Sequence, residues 1–293
     1  MIYEAYLVCP RGVSMCRLLG VVCNNPDRLG CFLYSKRDVY RPDREMSYDG
    51  YGMGYYNDFR ALIFKKPLNK ARLDKSCYDI ARDVKSEMLV VHIRKAETAL
   101  YKIENTHPFR FRNFIFAHIG SIYNFFNINT KLYFKLPDFL MRNMQGETDS
   151  ELFFHLILSE LYRSGELDNS EIQGEAIVNS IVRAIKVVED ISGDLDSKRS
   201  SFTSILCNGE YMIGVAYKEP LYLGSFNSIQ DCAICAKKTK GTDTDILAEQ
   251  HKNFKAVTLV GGTVEGLVDR ERLLPDKSIT LISRDLNVKS FEI

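Results

Sequence analysis

Over the first half of the chain, apolar residues fall in short runs rather than at helical spacing. CRLLGVVC (16–23), DGYGMGYYND (49–58) and ALIFKK (61–66) are separated by polar or charged stretches and punctuated by Gly and Asn. Short runs bounded by turn formers predict strands, so a β layer is built early. Residues 71–86 carry helical composition and spacing and lead into EMLVVHIR (87–94), a strand that ends in charge. NFIFAHIGSI (113–122) predicts another strand closed by a turn. The strongest helix starts at TDSELFFHLILSELYRSG (148–165), where Thr148 or Asp149 can cap, Glu151 lies in the first turn and Gly165 closes. SEIQGEAIVNSIVRAIKVVEDI (170–191) predicts a second helix from its three-and-four apolar spacing. Strands then return in FTSILCN (202–208), EYMIGVAY (210–217), PLYLG (220–224), CAICAKK (232–238), AVTLVG (256–261) and SITLISR (278–284). Strands, two long helices and strands again, without βαβ alternation, predict a layered α+β domain rather than a doubly wound parallel sheet. There is no internal repeat or low-complexity linker, and nothing forces a second domain.

Composition narrows the partners more than the fold. At 293 residues the chain is long enough to bury roughly three quarters of its unfolded surface. A net charge of +1 gives no footprint for nucleic acid or anionic lipid, so a small molecule or a protein is the expected partner. No apolar run reaches membrane-helix length, and MIYEAYLVCPRGVS (1–14) has neither a basic start nor a long apolar centre, which predicts a cytoplasmic protein. The eight cysteines (9, 16, 23, 31, 77, 207, 232, 235) therefore read as reduced thiols. CAIC (232–235) has metal or redox spacing, but no second cysteine or histidine pair lies near in sequence to complete a tetrahedron. Cysteines alternating with apolar residues on a strand account for it better than a metal site does. The tyrosine-rich YDGYGMGYY (48–56) lacks the basic stripe of a base-stacking surface, and its glycines fit close strand packing instead.

Several residues could carry chemistry. Cys16 has the most nucleophilic ordinary side chain and needs a nearby base or a lowered pKa to act at neutral pH; otherwise it is a small buried apolar residue. Arg94, just past an apolar strand, offers a planar fork for a carboxylate, or is a surface charge. His92 reads as a satisfied core histidine. ENTHPF (104–109) gathers Asn, Thr, His and Pro in a loop, and the strand of HIG (118–120) ends where Gly120 could turn a backbone N–H toward an oxyanion. Asp149 at a helix start either caps or reaches a substrate ammonium.

Taken in order, MCRLLG, DGYGMGYY, HIRKAE, NTHPF, HIGSIYN and GETDSE, spread over residues 15–151, resemble the class II glutamine amidotransferases, N-terminal-nucleophile hydrolases, in their compact single-domain branch. The resemblance implies a four-layer αββα sandwich of two mainly antiparallel sheets over residues 15–293, with residues 1–14 as an upstream extension. It implies Cys16 as the nucleophile that releases ammonia and glutamate from glutamine, or cleaves a related γ-glutamyl amide, through a thioester. Gly120 would serve the oxyanion, Arg94 the substrate α-carboxylate and Asp149 its α-ammonium, with Asn105, His107 and Glu97 in the substrate pocket. No metal or organic cofactor is implied, and a separate ammonia-using synthetase subunit is the protein partner to expect.

Three features depart from the family pattern. An amide-linked Cys16 has no free amine to act as base, so Met15 is the expected start, with a propeptide cleaved after it as the alternative. Ile119 stands where the family has the Asn of an HNG turn, and losing such a donor typically costs ~100- to 1000-fold in turnover. Asn124 is the candidate replacement. Glu97 stands where relatives commonly show Thr. A non-catalytic descendant serving as a binding or regulatory subunit is therefore the competing expectation.

Overall fold

The computed structural model describes residues 16–41, 47–73, 75–95, 101–193, 199–230, 232, 235, 243–262 and 271–293. Two antiparallel sheets lie face to face. The first is seven-stranded, in the order β11 (Glu271–Leu273), β9 (Leu221–Phe226), β10 (Ala256–Gly261), β1 (Arg17–Cys23), β4 (Met88–Arg94), β2 (Ser47–Asn57) and β3 (Arg60–Arg72). The second is six-stranded, in the order β13 (Val288–Glu292), β12 (Ser278–Ser283), β8 (Tyr211–Ala216), β7 (Ser201–Cys207), β6 (Phe114–Ser121) and β5 (Phe109–Phe111).

The two-residue period of a strand sorts the side chains into layers. In β1, Leu18 and Val22 enter the core between the sheets, while Leu19, Val21 and Cys23 enter the core on the outer face of the first sheet. β4 divides the same way, with Met88 and Val90 between the sheets and Leu89, Val91 and Ile93 outside. In β6, Ile115, Ala117 and Ile119 face the first sheet, whereas Phe114 and Phe116 face helices. Being covered on both faces is why these antiparallel strands read as continuous apolar runs rather than alternating ones.

On the second sheet lie α3 (Phe125–Tyr133), α4 (Asp138–Met141), α5 (Asp149–Arg163) and α6 (Gly174–Ser192). α5 is capped by Thr148, whose hydroxyl accepts from the Glu151 N–H at 3.1 Å, and it is buried without interruption from Ser150 to Leu161. Gly165, in the left-handed region, closes it. On the first sheet lie α1 (Leu29–Ser35), α2 (Cys77–Ala81) and α7 (Asp243–Lys252). The four-layer αββα arrangement predicted by the resemblance is thus the observed one. Among the described residues no helix is long and apolar enough to cross a membrane.

The structure departs from the sequence expectations at several places. The polar stretch before Ser47 contains α1, whose Leu29, Cys31, Phe32 and Leu33 are buried. The helix expected over residues 71–86 shrinks to α2, because β3 runs on to Arg72 and Ser76 with Asp79 forms a capping box that starts the helix late. α3, α4, α7, β5, β11 and β13 add to the elements that the apolar pattern predicts. The strand expected over CAICAKK is absent at its two described residues: Cys232 lies outside regular structure and Cys235 is helical, while the rest of that run falls outside the described residues.

The glycines of β2 do serve close packing. Gly50, Gly52 and Gly54 share one face, where a Cβ would meet Thr106, the His107 carbonyl and Ile115 respectively. That face carries the 104–108 loop and β6.

Candidate active site

Cys16 and Arg94 face each other. β1 and β4 pair with Arg17 opposite Ile93, so the next step in register sets Cys16 across from Arg94 on the face between the sheets. The Cys16 thiol donates to the Lys95 carbonyl at 3.2 Å, and the Lys95 N–H donates back to the sulfur at 3.3 Å. Burial pushes the thiol pKa up; the Lys95 N–H and the Arg94 charge oppose this, while Glu219 and Asp49 add to it. In this setting Cys16 is a thiol that needs a base to become a nucleophile.

Arg94 is 9% exposed, and its Nη1 has no hydrogen-bond partner among the described residues. A buried guanidinium nitrogen without an acceptor is costly, and it is the group a bound carboxylate would satisfy.

The backbone around Cys16 is crowded. Gly262 sits at φ +93, and any side chain there would strike the Cys16 carbonyl. Gly262, Asp49 and Glu219 are neighbours that sequence reasoning missed; the repeated Gly at the end of LVGG was the one available signal. Burial raises the Glu219 pKa.

Gly120, at φ +153, could not carry a side chain either, because a Cβ would meet His118 Nε2 at 2.7 Å and the Ser201 carbonyl. The turn beyond it is fixed by side chains. Ser121 N–H donates to Ser201 Oγ at 3.0 Å, Ile122 N–H to Asp149 Oδ2 at 2.9 Å and Tyr123 N–H to Ser200 Oγ at 3.1 Å. Asp149, the first residue of α5, thereby ties the helix to this turn, and its Oδ1 accepts from the Ser150 N–H at 2.8 Å. Oδ1 also lies 3.4 Å from Ser150 Oγ, so Oδ2 is the oxygen with a lone pair left for an ammonium group.

His118, also missed in the sequence, pins the same region. Its Nε2 lies 3.0 Å from the Ser201 carbonyl and its Nδ1 2.9 Å from Ser150 Oγ. A carbonyl only accepts, so Nε2 carries the proton and Nδ1 accepts from the serine. Burial lowers the His118 pKa, in keeping with this neutral form, although Asp149 pulls the other way.

The 104–108 loop closes the arrangement. Asn105 is buried, and its Oδ1 accepts from the Glu147 N–H at 3.0 Å; the Glu151 carboxylate accepts from Gln145 N–H at 3.0 Å and Gly146 N–H at 2.6 Å. Glu151 holds the turn at Gln145 and Gly146, ahead of α5, from the N3 position of Thr148-x-x-Glu151, a pattern the sequence displays. His107 packs against His92 with ring centroids 4.3 Å apart and the planes tilted by 40°. His92 is in the core as expected but is not satisfied: neither its ring nitrogens nor those of His107 make a hydrogen bond of good geometry among the described residues. Burial drives His92 down to about 3 and His107 well below its ordinary value, so both are neutral near pH 7.

Ile119 is 4% exposed and packs into the core between the sheets, its Cδ1 near Gly261 and Gly262. Asn124 does not replace the missing donor: it is exposed, in the left-handed region, with its Oδ1 accepting from Asn127 at 2.5 Å. Glu97 and Met15 lie outside the described residues.

Paired antiparallel sheets between helix layers, with a cysteine at the head of the first strand, define the N-terminal-nucleophile type of amidotransferase fold. The chain belongs to the class-II glutamine amidotransferases, whose family profile matches residues 15–223. It is 29% identical over 208 residues to a putative glutamine amidotransferase of Haemophilus influenzae, covering 68% of this chain and 62% of that one. It is 26% identical over 174 residues to the probable glutamine amidotransferase DUG3 of Saccharomyces cerevisiae, covering 56% of this chain and 48% of that one. The chain thus spans about half to three fifths of the length of these relatives. Among solved structures, a glutamine aminotransferase class-II domain protein from Silicibacter pomeroyi superposes with a TM-score of 0.56 at 16% identity, covering 94% of this chain and 99% of that one. The glutamine phosphoribosylpyrophosphate amidotransferase of B. subtilis gives 0.51 at 15% identity, covering 94% and 49%. These two likenesses are of fold.

Proposed function

We propose that the chain hydrolyses the side-chain amide of glutamine, or of a related γ-glutamyl compound, with Cys16 as nucleophile. The observation that carries this reading is Cys16 lying in register opposite Arg94, a buried cation with one nitrogen that has no hydrogen-bond partner among the described residues. Arg94 takes the substrate α-carboxylate and Asp149 its α-ammonium, while Asn105 and His107 shape the pocket wall, with Glu97 assigned there on resemblance alone. The Cys16 sulfur attacks the amide carbon as its proton passes to a base, and the oxyanion forms beside Gly120. Ammonia leaves with that proton, and water then cleaves the thioester to give glutamate. Because burial holds the thiol protonated, a base is required, and the α-amine of Cys16, with a reference pKa near ~8, serves once residues 1–15 are absent. The ammonia either leaves or passes to a separate ammonia-using synthetase.

The test is to produce the chain from Met15, verify by intact mass that Cys16 is first, and measure glutamate and ammonia release from glutamine. The absence of both turnover and covalent labelling of Cys16 by a glutamine-like electrophile would overturn the proposal.

The burial of Ile119 favours a second reading, a binding or regulatory subunit with weakened chemistry. Ile119→Asn should raise the turnover number by up to ~100-fold if a missing oxyanion donor limits the rate. An unchanged rate in a folded variant counts against that limit.

A further inference from the structure

Four residues with metal-binding side chains converge on the outer face of the first sheet, the face opposite Cys16. Cys31 comes from α1, Cys232 and Cys235 from the chain after β9, and His251 from the last turn of α7. One ligand atom from each, three sulfurs and an imidazole nitrogen, all lie within 4.8 Å of one another, and all four residues are buried. Cys31 Sγ is 3.6 Å from Cys235 Sγ, which is 3.5 Å from His251 Nε2. For a tetrahedral zinc with ordinary Zn–S and Zn–N bonds, the ligand-to-ligand edges are about 3.8 Å between sulfurs and about 3.6 Å between sulfur and nitrogen.

Neither a disulfide nor apolar packing accounts for this cluster as well. A disulfide brings its sulfurs to about 2.05 Å and has no use for a third thiol and an imidazole aimed at the same point. Apolar packing accounts for buried cysteines but not for a histidine nitrogen among them. The surroundings match an ion with three anionic ligands: Arg28 donates from Nε to Gln250 Oε1 at 2.8 Å, and its charge acts on both Cys235 and His251. Leu29, Phe32, Phe226, Ile229 and Phe254 form the apolar shell, and the Ile229 N–H donates to the His251 carbonyl at 2.9 Å.

We propose that Cys31, Cys232, Cys235 and His251 bind one zinc ion in a closed, structural Cys3His site that fastens α1, the segment after β9 and α7 to one another. Four protein ligands leave no open position, so the ion has no catalytic coordination site. Zinc binds cysteine as the thiolate, so binding releases protons and the affinity rises with pH. The proposed site departs from the expectation that the chain needs no metal, and it is independent of the chemistry at Cys16.

The full chain, purified under reducing conditions without chelator, is expected to carry about one zinc per chain by elemental analysis. Cys232→Ser with Cys235→Ser, and separately His251→Ala, should lose it, whereas Cys16→Ala should retain it. Because the ligand variants could fail to fold, the native chain is also stripped with a chelator and titrated with Co2+. The expected result is the intense visible and near-ultraviolet absorption of four-coordinate, thiolate-bound cobalt, displaced by Zn2+ with a rise in Tm of several degrees. The proposal is overturned if the native chain is metal-free and neither ion produces a spectrum or a shift, or if intact mass without reductant shows a Cys31–Cys235 disulfide instead.

Discussion

The two helix layers solve the same problem by different means. The layer on the second sheet has two long helices, α5 of 15 and α6 of 19 residues, and a continuous apolar core that includes Phe116, Phe153, Phe154 and Phe202. Its stability comes from burial. The layer on the first sheet has helices of 7, 5 and 10 residues. Helices that short contribute little by themselves, and the place where they meet the segment after β9 is occupied by three thiols and an imidazole. Both layers bury apolar area, and the first-sheet layer adds the cluster of thiols and imidazole at one point. Cys16 belongs to neither, since it lies between the sheets.

The largest expected effect separates the chemistry from both layers. Cys16→Ala in the processed chain should reduce glutamine hydrolysis by more than ~1000-fold while leaving Tm and metal content in place. A comparable fall in Tm would mean that Cys16 is part of the core rather than of the site. Next comes the second-sheet layer: Phe153→Ala should cost about 3–5 kcal/mol of unfolding free energy by urea titration. It should leave zinc content untouched, whereas a chelator should destabilise the first-sheet layer without a mutation; equal sensitivity of both layers to the chelator would break the comparison.

The smallest effect is acid weakening of the second-sheet layer and the core between the sheets. Burial lowers His155, in α5, to about 4 and His92, in β4, to about 3. For a depressed imidazole, the stabilising contribution is present above the unfolded value near ~6.5 and is lost as pH falls toward the folded value. Between about pH 6.5 and 5.5 each should cost about 1 kcal/mol, measured by urea unfolding of His92→Asn and His155→Asn beside the parent chain. A parent chain with no more pH dependence than the two variants would show these rings to be solvated.

What the sequence reveals follows the same division. α5 and α6 are legible because their apolar residues repeat at helical spacing, and β1, β4 and β6 because both faces are buried. Cys16, Arg94 and Gly120 are legible as strand-end residues in a familiar order. α1 is too short for a periodicity to emerge from 7 residues, and the helical spacing read over 71–86 overstates α2, which has 5. The thiol cluster stays hidden for a different reason: Cys31 and Cys235 stand 204 residues apart, so C-x-x-C lacks visible partners until the fold brings α1 and α7 to it. Within the site, His118 and Glu151 act through hydrogen bonds to main chain remote in sequence or bent back on itself, which composition does not encode. Ile119 is the reverse case, since its identity alone marks the departure from the family pattern.

The alternate glycines of β2 have a consequence for how this chain can vary. Gly50, Gly52 and Gly54 share a face already filled by Thr106, His107 and Ile115, while Tyr51, Met53 and Tyr55 between them point the other way, toward the outer face. Among random substitutions across residues 47–57, survivors should follow a two-residue beat, silent at 50, 52 and 54 and permissive between them. That rhythm would be the imprint of one loop pressed against one strand.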